Sequence, residues 1–249
     1  MPRAVAGLSD RQVVCATAEE AAARLAAAVL AALRLRLATA ARVDLALSGG
    51  SSGKLVAAAL AGGEAGAEEW ARIHVWMVDE RCVEADDPRL NFASIRSALV
   101  GSGAIPAENL HPMPVLFPDG AERYERELRA ALAERPPGER RLDAIVLGMG
   151  PDGHTASLFP GSPALDERER WVVWNDGDAV TPPRPRMTMT FPFLNRAGFI
   201  ALFVTGDSKR AALRRLAEGR EDYRTLPVAG VAGAAETRPV WFLDQAALP

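Results

Sequence analysis

The chain has 249 residues, of which 49% are hydrophobic and 24% charged, and its formal net charge is -3. This length and composition suffice to bury a sizeable core, and we expect one domain over residues 1–249. The near balance of acids and bases excludes the basic surface that nucleic-acid binding requires, so we expect no nucleic-acid partner.

The first predicted element is a long helix. Thr17 and Glu20 form a capping-box pattern, and apolar residues continue behind them at helical spacing toward Ala41. Three arginines interrupt the alanine-rich stretch 21–41, which therefore falls short of the roughly 20 apolar residues that a membrane span needs. The acidic pair Glu19 and Glu20 is unlike the basic start of a signal peptide. We expect no membrane association and no export signal.

Strand-like apolar runs then alternate with helix-like segments. The predicted strands are residues 43–47, 73–78, 142–147, 171–175, 186–190, 199–205 and 240–243. The predicted helices are residues 91–100 with Asn91 as the cap, residues 121–134, and a helix through 218 that Asp207 caps. This alternation predicts an α/β fold with a doubly wound, mainly parallel, Rossmann-like sheet and helices on both faces. The cluster of Pro182, Pro183 and Pro185 is predicted to form a surface loop.

The first predicted strand ends in a loop of small residues, Ser48-Gly49-Gly50-Ser51-Ser52-Gly53. Ligands of such sheets bind beyond the carboxyl ends of strands, and this loop leaves backbone N–H groups free to approach an anion. A tight strand-to-helix turn would use the same residues. A nucleotide P-loop is excluded, because Ser48 replaces its first glycine and Leu55 replaces its magnesium-binding Ser or Thr. A phosphate group fits the loop.

The second strand is followed by three ionisable residues, Asp79, Glu80 and Arg81. Two carboxylates beside a guanidinium could hold sugar hydroxyl groups or polarise a carbonyl group. A solvated charge cluster would show the same residues. Their place at a strand end favours the functional interpretation.

The third strand end carries the most informative segment, Leu147-Gly148-Met149-Gly150-Pro151-Asp152-Gly153-His154. An imidazole with its ordinary pKa of about 6.5 can remove a proton from water at neutral pH, and a carboxylate two residues away can orient the ring. His154 is therefore the candidate base and Asp152 its partner. A lone histidine is more often structural, and His74 and His111 lack a comparable setting.

Three glycines of this segment also match the dinucleotide-binding string, so a nicotinamide dehydrogenase is an alternative. Gly148, Gly150 and Gly153 have the required spacing, and Asp176 lies about twenty residues further on. However, Asp152 would bring negative charge toward the pyrophosphate, and the loop does not follow the first strand. We interpret the match as accidental and expect no cofactor.

Further cationic candidates are Arg186, at the start of a strand-like run, and Lys209, after Asp207. The two cysteines, Cys15 and Cys82, form no CxxC or Cys/His cluster, which predicts neither a disulfide nor a metal site and favours a reducing, cytoplasmic compartment. Ser157 lacks the G-x-S-x-G elbow of a serine hydrolase. Water is therefore the expected nucleophile.

These blocks, in this order, resemble the 6-phosphogluconolactonase family. They are SGGSS from Ser48, VDER from Val78, Asn91, the long and specific block LGMGPDGHTASLFPG from Leu147, and the RMT and GDSK segments. The resemblance covers most of the chain. It departs from the family where Ser52 and Gly53 replace a frequent Thr-Pro pair. It implies hydrolysis of 6-phosphogluconolactone without a metal or redox cofactor.

The resemblance also implies roles for single residues. His154 would be the base that activates water, with Asp152, Asp79 and Arg81 as the other catalytic positions. The substrate and phosphate contacts would be Ser48, Gly49, Gly50, Ser51, Asn91, Arg186 and Lys209.

Two rival functions stay open at this stage. The related glucosamine-6-phosphate isomerase/deaminase family usually reads MDEY and DGHIAFNEP, so Arg81 replaces a tyrosine and the segment from Leu158 to Gly161 lacks a carboxylate. A non-catalytic sugar-phosphate sensor would bind the ligand without turnover. We expect a small sugar-phosphate substrate, no obligate protein partner and a monomer.

Overall fold

The computed structural model describes Leu8, residues 11–233 and residues 235–249. Its strands are β1 Gln12–Cys15, β2 Val43–Leu47, β3 Ile73–Met77, β4 Asp79–Arg81, β5 Leu110–His111, β6 Ala144–Gly148, β7 Val172–Asn175, β8 Arg186–Met189, β9 Phe199–Val204 and β10 Val240–Asp244. Its α-helices are α1 Ala18–Leu37, α2 Gly50–Ala61, α3 Ala67–Trp70, α4 Asn91–Leu99, α5 Gly120–Ala131, α6 Phe191–Leu194, α7 Arg210–Glu218 and α8 Ala229–Ala232.

Seven strands form the main sheet, in the order β1-β10-β9-β6-β2-β3-β5, and every neighbouring pair is parallel. The predicted α/β fold with a mainly parallel sheet is therefore confirmed. From β2 the chain moves outward to β3 and β5, whereas from β6 it moves outward in the opposite direction to β9 and β10. The strand order thus reverses between β2 and β6.

This reversal distributes the helices over the two faces of the sheet. Crossovers between parallel strands are right-handed, so connections that run in opposite directions lie on opposite faces. Helices α1, α2 and α4 belong to one direction and pack against one another, while α7 connects β9 to β10 in the other direction. The carboxyl ends of β2 and β6 are left open between the two sets of helices.

A second, smaller sheet has the antiparallel order β4-β8-β7 and contains two of the predicted strands, residues 171–175 and 186–190. The expectation of a single sheet was wrong for these strands. The chain changes sheets at Val78, whose N–H donates to Leu47 of the main sheet and whose carbonyl accepts from Met189 of the small one. Apolar runs of equal length do not reveal which sheet they join.

Several predicted boundaries were also wrong. Helix α1 ends at Leu37 instead of Ala41, because the Arg72 guanidinium binds the carbonyl groups of Leu37, Ala40 and Ala41. Asp207 lies in a short 3-10 turn before α7 and does not cap that helix. Helix α5 ends at Ala131.

Helix α4 also begins differently from the prediction. Asn91 is its first helical residue and does not cap it, because Leu90 holds the cap position without a side-chain bond. The prediction missed the short strands β1, β4 and β5. A helix start was expected after the Ser48 loop without bounds, and α2 is that helix, whose first residues are small ones of the loop.

Buried apolar side chains form one continuous core cluster around the main sheet. At the end of the sheet opposite the loop at Ser48, the fully buried Asp44 accepts from Trp76 Nε1 and forms ion pairs with Arg42 and Arg135. Burying a carboxylate is tolerated when it is paired in this way. Among the described residues, none of the helices combines the length and the apolar character needed to cross a bilayer.

The hydroxyl group of Tyr124, a fully buried residue, gives a test of this packing. It accepts from the N–H of Met77 at 2.8 Å and donates to the Met77 carbonyl at 3.0 Å. Tyr124→Phe should lower the free energy of unfolding by about 1–3 kcal/mol, because a buried N–H loses its acceptor. Urea unfolding measures this change. The control Tyr223→Phe, at a half-buried position, should change the free energy of unfolding by less than about 0.5 kcal/mol. Equal losses in the two variants would contradict a stabilising role of the Tyr124 hydroxyl group.

Candidate active site

A pocket of about 400 Å³ opens at the carboxyl ends of β2 and β6, where the strand order reverses. Every predicted site residue except Asp152 lines it. These residues are Ser48, Gly49, Gly50, Ser51, Asp79, Arg81, Asn91, His154, Arg186 and Lys209. Residues that are separated in sequence by more than 150 positions are thus brought to one cleft.

The loop after β2 forms one wall of the pocket and leads directly into α2. The Ser48 N–H donates to Val146 of β6, which fixes the loop at the strand reversal. Gly50 has a φ of +74°, a conformation that side chains disfavour. The N-terminus of the 12-residue helix α2 therefore faces the pocket, and its N–H groups and dipole favour an anion there.

Asn91 holds this loop to the small sheet. Its Oδ1 accepts from the Gly50 N–H at 3.0 Å, and its Nδ2 donates to the Asp79 carbonyl at 3.1 Å. A Cβ atom on Gly49 would lie only 2.0 Å from Asn91 Cγ, so a glycine is required where the loop passes this side chain. Asn91 is therefore bound to the protein at both polar atoms of its amide.

The carboxylate of Asp79 reaches the pocket from a buried position. Its Oδ2 accepts from the Ser157 hydroxyl at 2.6 Å, and both residues are buried. The neighbouring Glu80 points away from the pocket. Burial raises the pKa of Glu80 to about 7, although three backbone N–H groups that donate to its carboxylate oppose the rise.

His154 and Asp152 form a close pair on the loop after β6. His154 Nδ1 lies 2.6 Å from Asp152 Oδ1, and the Phe159 ring packs against the imidazole at 4.6 Å between centroids. Asp152 lies behind His154 and outside the pocket wall. Burial tends to raise the pKa of Asp152, but the hydrogen bond and charge of His154 outweigh it and hold that pKa below its ordinary value. With Nδ1 bonded to a carboxylate, Nε2 is left to accept a proton.

Glycines make this pair possible. A Cβ atom on Gly150 would lie 2.1 Å from His154 Nδ1 and 2.6 Å from Asp152 Oδ1. Gly153 has a φ of +87°, which turns the chain so that His154 follows. No α-helix follows the loop over residues 149–162, only a short 3-10 helix at Pro163–Asp166, so the dinucleotide string lacks the α-helix N-terminus that a pyrophosphate requires.

Two arginines enter the pocket from neighbouring strands of the small sheet. Arg81 and Arg186 are direct partners in the antiparallel register of β4 and β8, where like charges repel each other. Burial lowers the pKa of Arg186, and the charge of Arg81 lowers it further. The buried Nε of Arg81 has no hydrogen-bond partner among the described residues. An anion in the pocket would offset the repulsion that lowers the pKa of Arg186 and would give Arg81 Nε an acceptor.

The proline-rich loop is part of the site, which the prediction of a plain surface loop missed. Arg186 donates to the carbonyl groups of Pro183 and Thr181 at 2.6 and 3.0 Å, and Thr181 and Pro182 line the pocket. Phe159 also lines it and was not predicted. Phe159 belongs to the LGMGPDGHTASLFPG block, which was the available signal.

Lys209 adds a third cation. Burial lowers the pKa of its ammonium group, and Asp152 opposes the change. Of the described side chains that line the pocket, Arg81, Arg186 and Lys209 are cationic and Asp79 is anionic. Within the described residues there is no group of three or more His, Cys, Asp or Glu side chains that could hold a metal ion. The pocket is therefore suited to a small, negatively charged ligand.

The fold and the pocket together define a class: an α/β protein whose crevice at the strand reversal combines an anion-binding loop with a histidine–carboxylate pair. Comparison with known proteins identifies the family within this class. The chain belongs to the family described as glucosamine-6-phosphate isomerases/6-phosphogluconolactonase, whose sequence model matches residues 16–241.

Three relatives illustrate the similarity. The chain is 37% identical over 209 residues to the 6-phosphogluconolactonase of Nostoc sp., with 83% of each chain covered. It is 35% identical over 243 residues to the GDH/6PGL endoplasmic bifunctional protein of Oryctolagus cuniculus, with 94% of this chain but only 29% of that protein covered. The crystal structure of 6-phosphogluconolactonase from Thermotoga maritima superposes with a TM-score of 0.76 at 28% identity, covering 94% of this chain and 100% of the other.

Gly53 gives a test of how closely α2 approaches the loop. A Cβ atom there would lie 2.1 Å from the Ser48 carbonyl oxygen. Helix propensity alone would favour alanine by about 1 kcal/mol, but the overlap with backbone should instead cost about 1–3 kcal/mol of unfolding free energy. Urea unfolding of Gly53→Ala shows whether the substitution raises or lowers the free energy of unfolding. The control Gly138→Ala, where nothing lies within 4 Å of the added Cβ, should change stability little.

Proposed function

We propose that the chain hydrolyses 6-phospho-D-glucono-1,5-lactone to 6-phospho-D-gluconate, with water activated by His154. The observation that carries this proposal is the His154–Asp152 pair, which leaves Nε2 as a base beside a cationic pocket. Relatives that bear the name 6-phosphogluconolactonase support the same reaction. The reaction is the second step of the oxidative pentose phosphate pathway.

The phosphate group of the substrate is the part that fixes its orientation. We assign it to the loop residues Ser48, Gly49, Gly50 and Ser51, with Arg186 and Lys209 as charged partners. The N-terminus of α2 and these cations attract a dianion from the same side of the pocket. Binding energy from this non-reacting end then places the lactone carbonyl near His154.

The chemical step needs a base, a site for the developing negative charge and a proton for the leaving oxygen. His154 removes a proton from water, and the oxygen attacks C1 of the lactone. We assign the stabilisation of the oxyanion to Arg81, with Asp79 beside it as a contact for sugar hydroxyl groups. The bond between C1 and the ring oxygen then breaks, and protonated His154 returns its proton to that oxygen.

The side chain packed on His154 argues against the rival deaminase. Phe159 lies where the resembled deaminase block DGHIAFNEP has a carboxylate, and it contacts the imidazole ring. Ring opening of an amino sugar would therefore lack an acid–base partner. A sugar-phosphate sensor would use the same pocket without turnover, so the activity assay separates it from the lactonase.

We further propose that residues 1–249 act as one catalytic domain, as a monomer in the cytoplasm, without a cofactor and without a nucleic-acid partner. The balanced charge and the two unpaired cysteines, Cys15 and Cys82, support these statements.

His154→Ala should lower kcat roughly 10²- to 10⁴-fold, because general-base catalysis contributes about that much. Asp152→Asn should also lower it, since the ring loses the carboxylate that orients it. The assay follows freshly made lactone beside a control without enzyme, and tests glucosamine-6-phosphate for ammonia release in parallel. His111→Gln, outside the pocket, should keep normal turnover. Near-normal turnover of His154→Ala would show that another group activates water.

Lys209→Met should raise KM roughly 10- to 100-fold with little change in kcat, because a hydrogen bond to a charged group contributes about 1.5–3 kcal/mol. Steady-state kinetics measure both constants. The matched control is Lys54→Met at the other lysine of the chain, which is exposed on α2 and outside the pocket. If the two variants had the same KM, Lys209 would not be a phosphate contact.

A further inference from the structure

Glu80 is a buried carboxylate to which the proposed mechanism assigns no role. It lies between Asp79 and Arg81, is 1% exposed, and does not line the pocket. Its Oε1 accepts from the N–H groups of Arg81 and Asn91, and its Oε2 accepts from the N–H of Phe92, each at 2.8 Å. Three backbone donors therefore converge on one side chain.

Two of these donors are the first N–H groups of helix α4. The residue before the helix, Leu90, has no side chain that could accept from them. Glu80, which lies on strand β4, accepts from these N–H groups instead. The start of the helix is therefore fixed to the small sheet and not to its own preceding loop. The backbone of Asn91 consequently has a defined position relative to Asp79 and Arg81.

The side-chain amide of Asn91 connects this helix start to the loop that follows strand β2 of the main sheet. It accepts from the N–H of Gly50 and passes so close to Gly49 that no side chain fits there. The chain of contacts runs from Glu80 to Asn91 and from Asn91 to the loop at the start of α2. Each contact in this series is a direct hydrogen bond or a van der Waals contact.

We propose that Glu80 is a positioning residue that holds the anion-binding loop in place through Asn91. The proposal rests on the proposed function for its kinetic readout. Loss of the carboxylate should weaken binding of the phosphate end of the substrate, while the chemistry at His154, on the loop after β6, is left largely unchanged.

The kinetic test uses Glu80→Gln, in which an NH₂ group replaces one acceptor oxygen. We expect KM to rise about tenfold, and the inhibition constant of inorganic phosphate to rise by a similar factor, as when a partner that orients a binding group is removed. The value of kcat should change by less than about threefold. A loss confined to kcat, or an unchanged inhibition constant for phosphate, would overturn the proposal.

The matched control is Glu125→Gln. Glu125 also accepts two backbone N–H groups, those of Trp171 and Val172, but it lies outside the pocket. It should leave KM and phosphate binding unchanged. An equal rise in both variants would mean that the loss of any carboxylate that accepts backbone N–H groups has this effect, and would also overturn the proposal.

Hydrogen–deuterium exchange supplies a readout that does not depend on the reaction. The amides of residues 48–54 should exchange faster in Glu80→Gln than in the parent chain and in Glu125→Gln. If the parent chain hydrolysed no lactone, the proposed function would fail, and exchange would still decide the role of Glu80. If Glu80→Gln did not fold, Asn91→Ala would take its place, and unchanged exchange and phosphate binding there would overturn the proposal.

Discussion

The parallel pairing of β2 with β6 is the contact on which the rest of the site depends. The chain leaves these neighbouring strands in opposite directions, so the helices that follow cannot close over their carboxyl ends. The crevice left there receives the Ser48 loop from one strand and the His154 loop from the other. Because both loops continue directly from paired strands, their separation is set by the sheet.

The small sheet supplies most of the charge. By turning out of the main sheet at Val78, the chain places Arg81 opposite Arg186 and brings Asp79 to the same wall. Two neighbouring guanidinium groups cost stability unless an anion lies between them. The site therefore holds positive charge in position before the ligand arrives, which is the arrangement that electrostatic catalysis requires.

The pocket loops also depend on glycines whose backbone passes very close to neighbouring atoms. Gly49 passes Asn91, Gly53 passes the Ser48 carbonyl, and Gly150 leaves room for the His154–Asp152 pair. Each position lacks the space for a Cβ atom, so glycine is required there by close contact, without a positive φ. Hydrogen bonds from Asn91 to Glu80 and from Gly50 to Asn91 connect the glycine-rich loop to the small sheet.

The sequence by itself determined the fold class and most of the residues that line the pocket, because hydrophobic periodicity indicates the elements and polar residues at the ends of parallel strands meet at one edge of the sheet. Every predicted site residue except Asp152 lines the pocket, and Asp152 contacts His154 from behind. Only the tertiary structure decided that residues 171–175 and 186–190 join a second sheet, that Thr181 and Pro182 form a wall, and that Glu80 supports Asn91. These features depend on contacts between segments that are distant in the sequence. Local sequence patterns do not indicate which partner a strand, loop or buried carboxylate will contact.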